Sequence, residues 1–440
     1  MSGLLDIVNG GVYDRTVGND HFFGENCLLL EEARRVLRGE EPYEEFQQAC
    51  QKLCDQADSF CQVYGRGDSD RRVWEQGKHL LFGLSKAVLA ACKPGSNIDF
   101  ALAKQAVEAF DLAWPAGQSP PSFPLPSGCS DAFRDYCREI GTAQTTGFWI
   151  VWDILDGLVP EYTYPDGQSR PEVRTASVPI LFYGLRGTSQ AAQLTVELIF
   201  DGGHGFRPDP LGLGLTALWR GGQHTHQHTD QPDQEDPGDF FEAMLRAWRT
   251  SGLDTEPCRG RWKITAFRPP DQEPHEAAPF ATPYLMGRSA EAAACCALRA
   301  ARGGLPGKAQ ETPLQLDPWG TVTAMLADEQ GEQSPLGKVL GLPGKLKAAR
   351  DAGVQMVLVA SDQPEDDFQD HRQHRPKDPV PTKTVGEAFE HLLAYGRMIG
   401  AHQLDARDQW LGRGKWSESR EHGWEPGTAE EDLEALDQQE

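Results

Sequence analysis

Leu285–Gly303, LMGRSAEAAACCALRAARG, is followed by Gly320–Leu326, GTVTAML, and by Val339–Gln363, VLGLPGKLKAARDAGVQMVLVASDQ. These three stretches decide how the rest of the chain is read. The first opens on a small-residue turn, Gly287-Arg288-Ser289, and runs into alanines of high helix propensity. The second is short and β-branched, which is the composition of a strand. The third holds a Gly/Pro turn, a short helix from Lys345 to Ala352, a glycine stop at Gly353 and a strand over Val354–Ala360.

A serine hydroxyl is a weak nucleophile at neutral pH and needs a base. A lysine can be that base if loss of solvent lowers its pKa toward neutrality, and Ser–Lys pairs are a known variant of triad chemistry. Ser289 stands at a tight turn before a helix, whose N-terminal amides carry partial positive charge suited to an oxyanion. Lys345 follows a Gly/Pro turn, and Val339, Leu342 and Leu346 form an apolar wall that would desolvate it. Taken singly, Ser289 reads as an N-cap and Lys345 as a solvated lysine. Arg288 lies beside the serine, where it would lower the lysine pKa, contact a substrate carbonyl or simply face solvent.

In this order, the three stretches resemble the proteolytic domain of the Lon family of serine peptidases. That family carries its nucleophile in a G-x-S-A-G turn, then a V-T-G-E-L strand, then V-G-G-L-x-x-K-L-x-A-A with the catalytic lysine. Gly287-Arg288-Ser289-Ala290 matches the first motif, and Val322-Thr323 with Leu326 matches the second. Val339, Gly341, Leu342, Lys345, Leu346, Ala348 and Ala349 match the third without a gap. The resemblance covers roughly the C-terminal half. It implies an α+β Lon-protease-like domain (ribosomal S5 domain 2-like), with Ser289 as nucleophile, Lys345 as general base and Thr323 orienting the lysine. Arg288 and Ala290 flank the serine as supporting positions.

The chain departs from the pattern at named places. Glu291 and Leu340 each replace a glycine, and Ala324-Met325 replaces Gly-Glu. Glu291 suits the first turn of a helix, yet it sets a negative charge close to a developing oxyanion. These departures keep a second reading open: a catalytically silent Lon-like fold used as a binding or assembly module. A small-molecule kinase of the same broad fold is a third reading, opposed by the lack of a glycine-rich phosphate loop. Gly341–Leu346, GLPGKL, lacks the GxxxxGK[ST] spacing, and Leu346 stands where Ser or Thr would bind magnesium. With no Walker-like stretch, the expectation is an ATP-independent endopeptidase making limited cuts in a partner protein. By analogy alone, such ATPase-free modules belong to bacterial regulatory or defence systems. The reading requires no cofactor and no metal.

At 440 residues the chain has room for two or three domains. A formal net charge of −24 argues against nonspecific binding to nucleic acid or to anionic membranes. Ten cysteines occur without a CxxC pair, and they read as buried free thiols in a reducing cytoplasm. The opening MSGLLDIVNGG has neither the basic region nor the apolar run of a signal peptide. No stretch reaches the roughly 18–20 apolar residues of a membrane span. A cytoplasmic protein is expected, and the sequence leaves oligomerisation open.

The first third has helical periodicity. Helices are predicted over Asn26–Leu37, Pro42–Tyr64, Arg72–Cys92, Asp99–Trp114 and Ser130–Leu158. Cys50, Cys54 and Cys61 share one helical face, which reads as core rather than a metal cluster. After a polar link at Tyr162–Glu172 the period shifts towards two, with strands predicted over Ser177–Tyr183, Gln193–Phe200 and Gly260–Phe267. A helix is predicted over Gly238–Thr250, and another over Thr384–Gly400 with Thr384 as N-cap and Glu387 completing the box. His224, His226 and His228 alternate within a polar segment that reads as a mobile loop rather than a metal site. The predicted organisation is an all-α N-terminal domain (1–165) for recognition or regulation, the Lon-like domain (174–405) folding on its own, and a tail (406–440).

Overall fold

Helical periodicity in the first third produces a helical layer. In the computed structural model, α1 covers 29–37, α2 Tyr43–Tyr64, α3 Asp68–Cys92 and α4 Phe100–Ala113. The model describes residues 29–64, 68–95, 98–113, 130–141, 145–164, 170–183, 189–210, 240–267, 288–303, 313–364 and 379–402. The predicted face of α2 is buried, at Phe46, Ala49, Cys50, Leu53, Cys54 and Ala57.

The helix predicted over Ser130–Leu158 is two helices, α5 (Asp131–Ile140) and α6 (Thr146–Leu158). The break has a local cause. Gly141 leaves the helix at φ 116°, in a region that side chains disfavour. Thr145 then starts α6 by accepting the Phe148 amide at 3.2 Å.

Past the link, the change to period two builds a four-stranded sheet. Its strands are β1 (Val173–Tyr183), β2 (Ser189–Ile199), β3 (Gly205–Pro208) and β4 (Arg259–Ala266), in the order β1-β2-β4-β3. β3 runs parallel to β4, and the other pairs are antiparallel. α7 (Phe240–Thr250) brings Phe240 against Phe182 and Trp262, with ring centroids 6.2 and 5.6 Å away. Trp248 of α7 stacks on Phe206 at 5.2 Å. Gly260 lies under that stacked pair, where an added Cβ would come within 2.6 Å of both rings.

The remaining elements are α8 (Glu291–Arg302), β5 (Gly320–Thr323), β6 (Met325–Leu326), β7 (Leu336–Gly337), α9 (Leu342–Ala352), β8 (Met356–Ala360), β9 (Val380–Thr382) and α10 (Val385–His402). β5, β8 and β9 form a parallel sheet, and β6 pairs with β7 antiparallel. α8 is buried from Glu291 to Ala301. Its Ala and Cys side chains are small enough for neighbours to close on every side.

Strand alternation decides what each sheet face carries. Val178, Ile180 and Phe182 join the large apolar core that contains α8. Leu181, one residue out of phase, joins a second cluster with Val339, Leu342 and Leu346. The four-stranded sheet is thus held between α8 on one face and α9 on the other. α10 begins as predicted: Thr384 Oγ1 accepts the Glu387 amide at 3.2 Å, and Glu387 reaches back to the Lys383 amide at 2.8 Å.

A buried ionic contact crosses the predicted boundary at 162–172. Asp153 of α6, fully buried, pairs with Arg259 of β4. Arg259 also donates to Asp201 at 2.7 Å, and its guanidinium lies 4.9 Å from the Trp149 ring. One apolar core runs from the helical layer into the sheet. The segments at Ala116–Gly128, His224–Asp239 and beyond His402 lie outside the described residues, as does Gly287. Among the described residues no helix is long and apolar enough to cross a membrane.

Candidate active site

The serine turn is fastened to the end of β5. The Ala324 amide donates to the Ser289 carbonyl at 3.2 Å, and the Ala292 amide donates to the Ala324 carbonyl at 3.4 Å. α8 begins here. Its cap is Ala290, at φ −91°, and the cap side chain makes no capping bond. Ser289 itself is half-buried in the turn before the helix. The Glu291 amide is taken by the Arg288 carbonyl at 3.0 Å. Among the described residues, the Ser289 and Ala290 amides donate to no backbone carbonyl.

Thr323 is buried at the end of β5, and its Oγ1 has no hydrogen-bond partner among the described residues. A buried hydroxyl without a partner is costly, and this one adjoins Ala324, which bonds the serine turn. Met325, two residues on, packs against the cluster that contains Leu342 and Leu346. The segment 323–325 therefore runs from the bonds with the serine turn into the second apolar cluster, of which Leu342 and Leu346 are members.

Lys345 lies in the first turn of α9, which is capped by Gly341 (φ 67°) and has Pro343 at its second position. Its amide closes on the Gly341 carbonyl at 3.1 Å. The predicted wall of Val339, Leu342 and Leu346 packs with Leu181 of β1. Only 6% of Lys345 is exposed. Burial alone lowers its pKa to about 7. The Val339 backbone is fixed by Gln363, whose side chain accepts its amide at 2.9 Å and donates to its carbonyl at 3.0 Å.

Arg288 does not contribute to that shift. Its guanidinium grips Glu291, with Nε to Oε1 at 2.6 Å and Nη2 to Oε2 at 3.1 Å. Glu291 is fully buried. It also accepts the Leu326 amide at 2.7 Å and lies 3.3 Å from Arg246 of α7. Both arginines donate to the Leu326 carbonyl, Arg288 at 2.6 Å and Arg246 at 3.0 Å. Burial raises the Glu291 carboxyl above its usual range, and the Arg288 and Leu326 hydrogen bonds oppose the rise.

Sequence reasoning placed Glu291 in the first turn of the helix, where it stands. Its carboxylate ties three elements together. The i, i+3 spacing of Arg288 and Glu291 was a visible signal for their pairing. Arg246 and Leu326 are distant in sequence and gave none. Compared with protein-family models and with curated proteins, the chain matches none.

Proposed function

We propose that this chain is an ATP-independent serine endopeptidase built on a Lon-like α+β domain, with Ser289 as nucleophile and Lys345 as general base. One observation carries the reading: a lysine is held almost wholly out of water, which brings its pKa to about 7, at the motif position a Ser–Lys peptidase needs. A buried lysine without a task is expensive. A neutral amine near physiological pH is what a general base requires. The Thr323 hydroxyl, without a partner among the described residues, suits the orienting role. The Ser289 and Ala290 amides at the start of α8 are suited to an oxyanion.

The silent-module reading leaned on Glu291, Ala324 and Met325. The Glu291 carboxylate is occupied by Arg288, Arg246 and the Leu326 amide, which weakens the case for oxyanion repulsion. The substrate is proposed to be a flexible segment of a partner protein in a cytoplasmic bacterial regulatory or defence system. The test is digestion of a complex peptide library. Cleavage products present with the wild type and absent with both Ser289→Ala and Lys345→Ala support the assignment. Identical product sets from all three proteins refute it.

A further inference from the structure

The Glu291 carboxylate meets three groups around the serine turn at once. Its two oxygens meet Arg288 at 2.6 and 3.1 Å, the Leu326 amide at 2.7 Å and Arg246 at 3.3 Å. These partners come from the serine turn itself, from β6 and from α7. Glu291 has no exposed surface, while Arg246 and Arg288 are 22% and 28% exposed at their side chains. Arg246 is in turn 3.3 Å from Glu329. The Leu326 peptide is held on both sides, with its amide on Glu291 and its carbonyl on both arginines.

Leu326 follows Thr323-Ala324-Met325 directly, and Ala324 carries the backbone bonds to Ser289 and Ala292. A clamp on Leu326 therefore fixes the strand that fixes the serine turn. Charge-assisted bonds of this geometry are stronger and more directional than neutral ones. A fold that needed only to fill this volume had cheaper apolar solutions.

We propose that Glu291 is a positioning residue for Ser289: with Arg288 and Arg246 it sets the serine turn against the 323–326 strand, so that its loss lowers nucleophile reactivity more than stability. The role rests on the peptidase reading, and the test separates the two. The probe is a fluorophosphonate, which is attacked by an activated serine oxygen and loses fluoride as the P–O bond forms. The serine proton passes to the base.

Wild type, Ser289→Ala, Glu291→Gln and Glu291→Asp are titrated with the probe to separate kinact from KI, with thermal unfolding measured on the same samples. Glu291→Gln keeps an acceptor for the Leu326 amide but loses the ion pairs. Its kinact is expected to fall tenfold or more with KI nearly unchanged, and Glu291→Asp is expected to recover part of the loss. If Glu291→Gln does not fold, Arg288→Lys carries the test, because it keeps the charge and loses the two-pronged grip. Wild-type kinact in the folded variant, or a loss no larger than its unfolded fraction, overturns the positioning role. Equal labelling of wild type and Ser289→Ala overturns the peptidase reading and this role with it.

Discussion

The Ala324 amide donates to the Ser289 carbonyl at 3.2 Å, and this bond joins a motif of the serine turn to a motif of the following strand. The pairing makes a single mechanical unit of residues 35 positions apart. It ties the Ser289 turn to the short segment whose Met325 packs against the apolar cluster that includes Leu342 and Leu346. Lys345, buried on α9, is the other half of the proposed chemistry.

If Ser289 and Lys345 act as a unit, their losses will not add. Ser289→Ala and Lys345→Ala should each remove peptide cleavage, and the double variant should be no worse than either single one. Assaying a fluorogenic peptide drawn from the library products measures this. Multiplicative losses in the double variant would mean that the two residues act independently.

The pKa of Lys345 predicts the pH dependence of activity. A base that titrates at about 7 is protonated and inactive in acid, and free above neutrality. The plot of kcat/KM against pH should rise through about pH 7 and level off. A flat profile from about pH 5.5 to 8.5 would exclude Lys345 as the base in the free enzyme.

The same burial predicts a stability effect that does not depend on any activity. Lys345 has its pKa lowered from 10.5 to about 7 in the folded state. Below pH 7 both folded and unfolded chains hold the proton, and the folded state bears the full cost of the buried charge. Between 7 and 10.5 the unfolded chain keeps a proton that the folded one has released, so this group's contribution to stability rises with pH. Lys345→Met removes the charge and keeps the chain length. Its stabilising effect in urea should be larger at pH 6 than at pH 9, by about 2–3 kcal/mol. The same increment at both pH values would place the amine in water.

Asp153 predicts how the helical layer and the sheet depend on each other. It is fully buried and pairs with Arg259 across the 162–172 link. Asp153→Ala leaves Arg259 with Asp201 alone and should cost about 3–5 kcal/mol. Denaturant unfolding at pH 7 measures it. A cost under about 1 kcal/mol would mean that the two layers are held by apolar packing alone. The fragment 170–402, expressed by itself, should be less stable than the whole chain for the same reason.

Much of the architecture was legible because local signals agreed with each other. Periodicity marked α2, α4 and α7 within a residue or two, alanine content pointed to α8, and the Thr384–Glu387 pair marked the start of α10. The Gly141 break was missed because an isolated glycine inside a helical pattern is tolerated, and its φ of 116° shows only in the structure. Strands β3, β7 and β9 are two to four residues long. Pairing defines them, and composition could not. At the site, the wall around Lys345 could be read from Val339, Leu342 and Leu346. The fate of Glu291 could not, because two of its partners, Arg246 and Leu326, are 45 and 35 residues away.

The measurement that tests the central claim most directly is the position of a fluorophosphonate adduct, found by mass spectrometry of the digested protein after labelling near pH 8. The dyad account predicts one dominant adduct on Ser289 in the wild type and its loss in Lys345→Ala, with both proteins folded by circular dichroism. No adduct on Ser289, or an adduct formed at the same rate in Lys345→Ala, would contradict it.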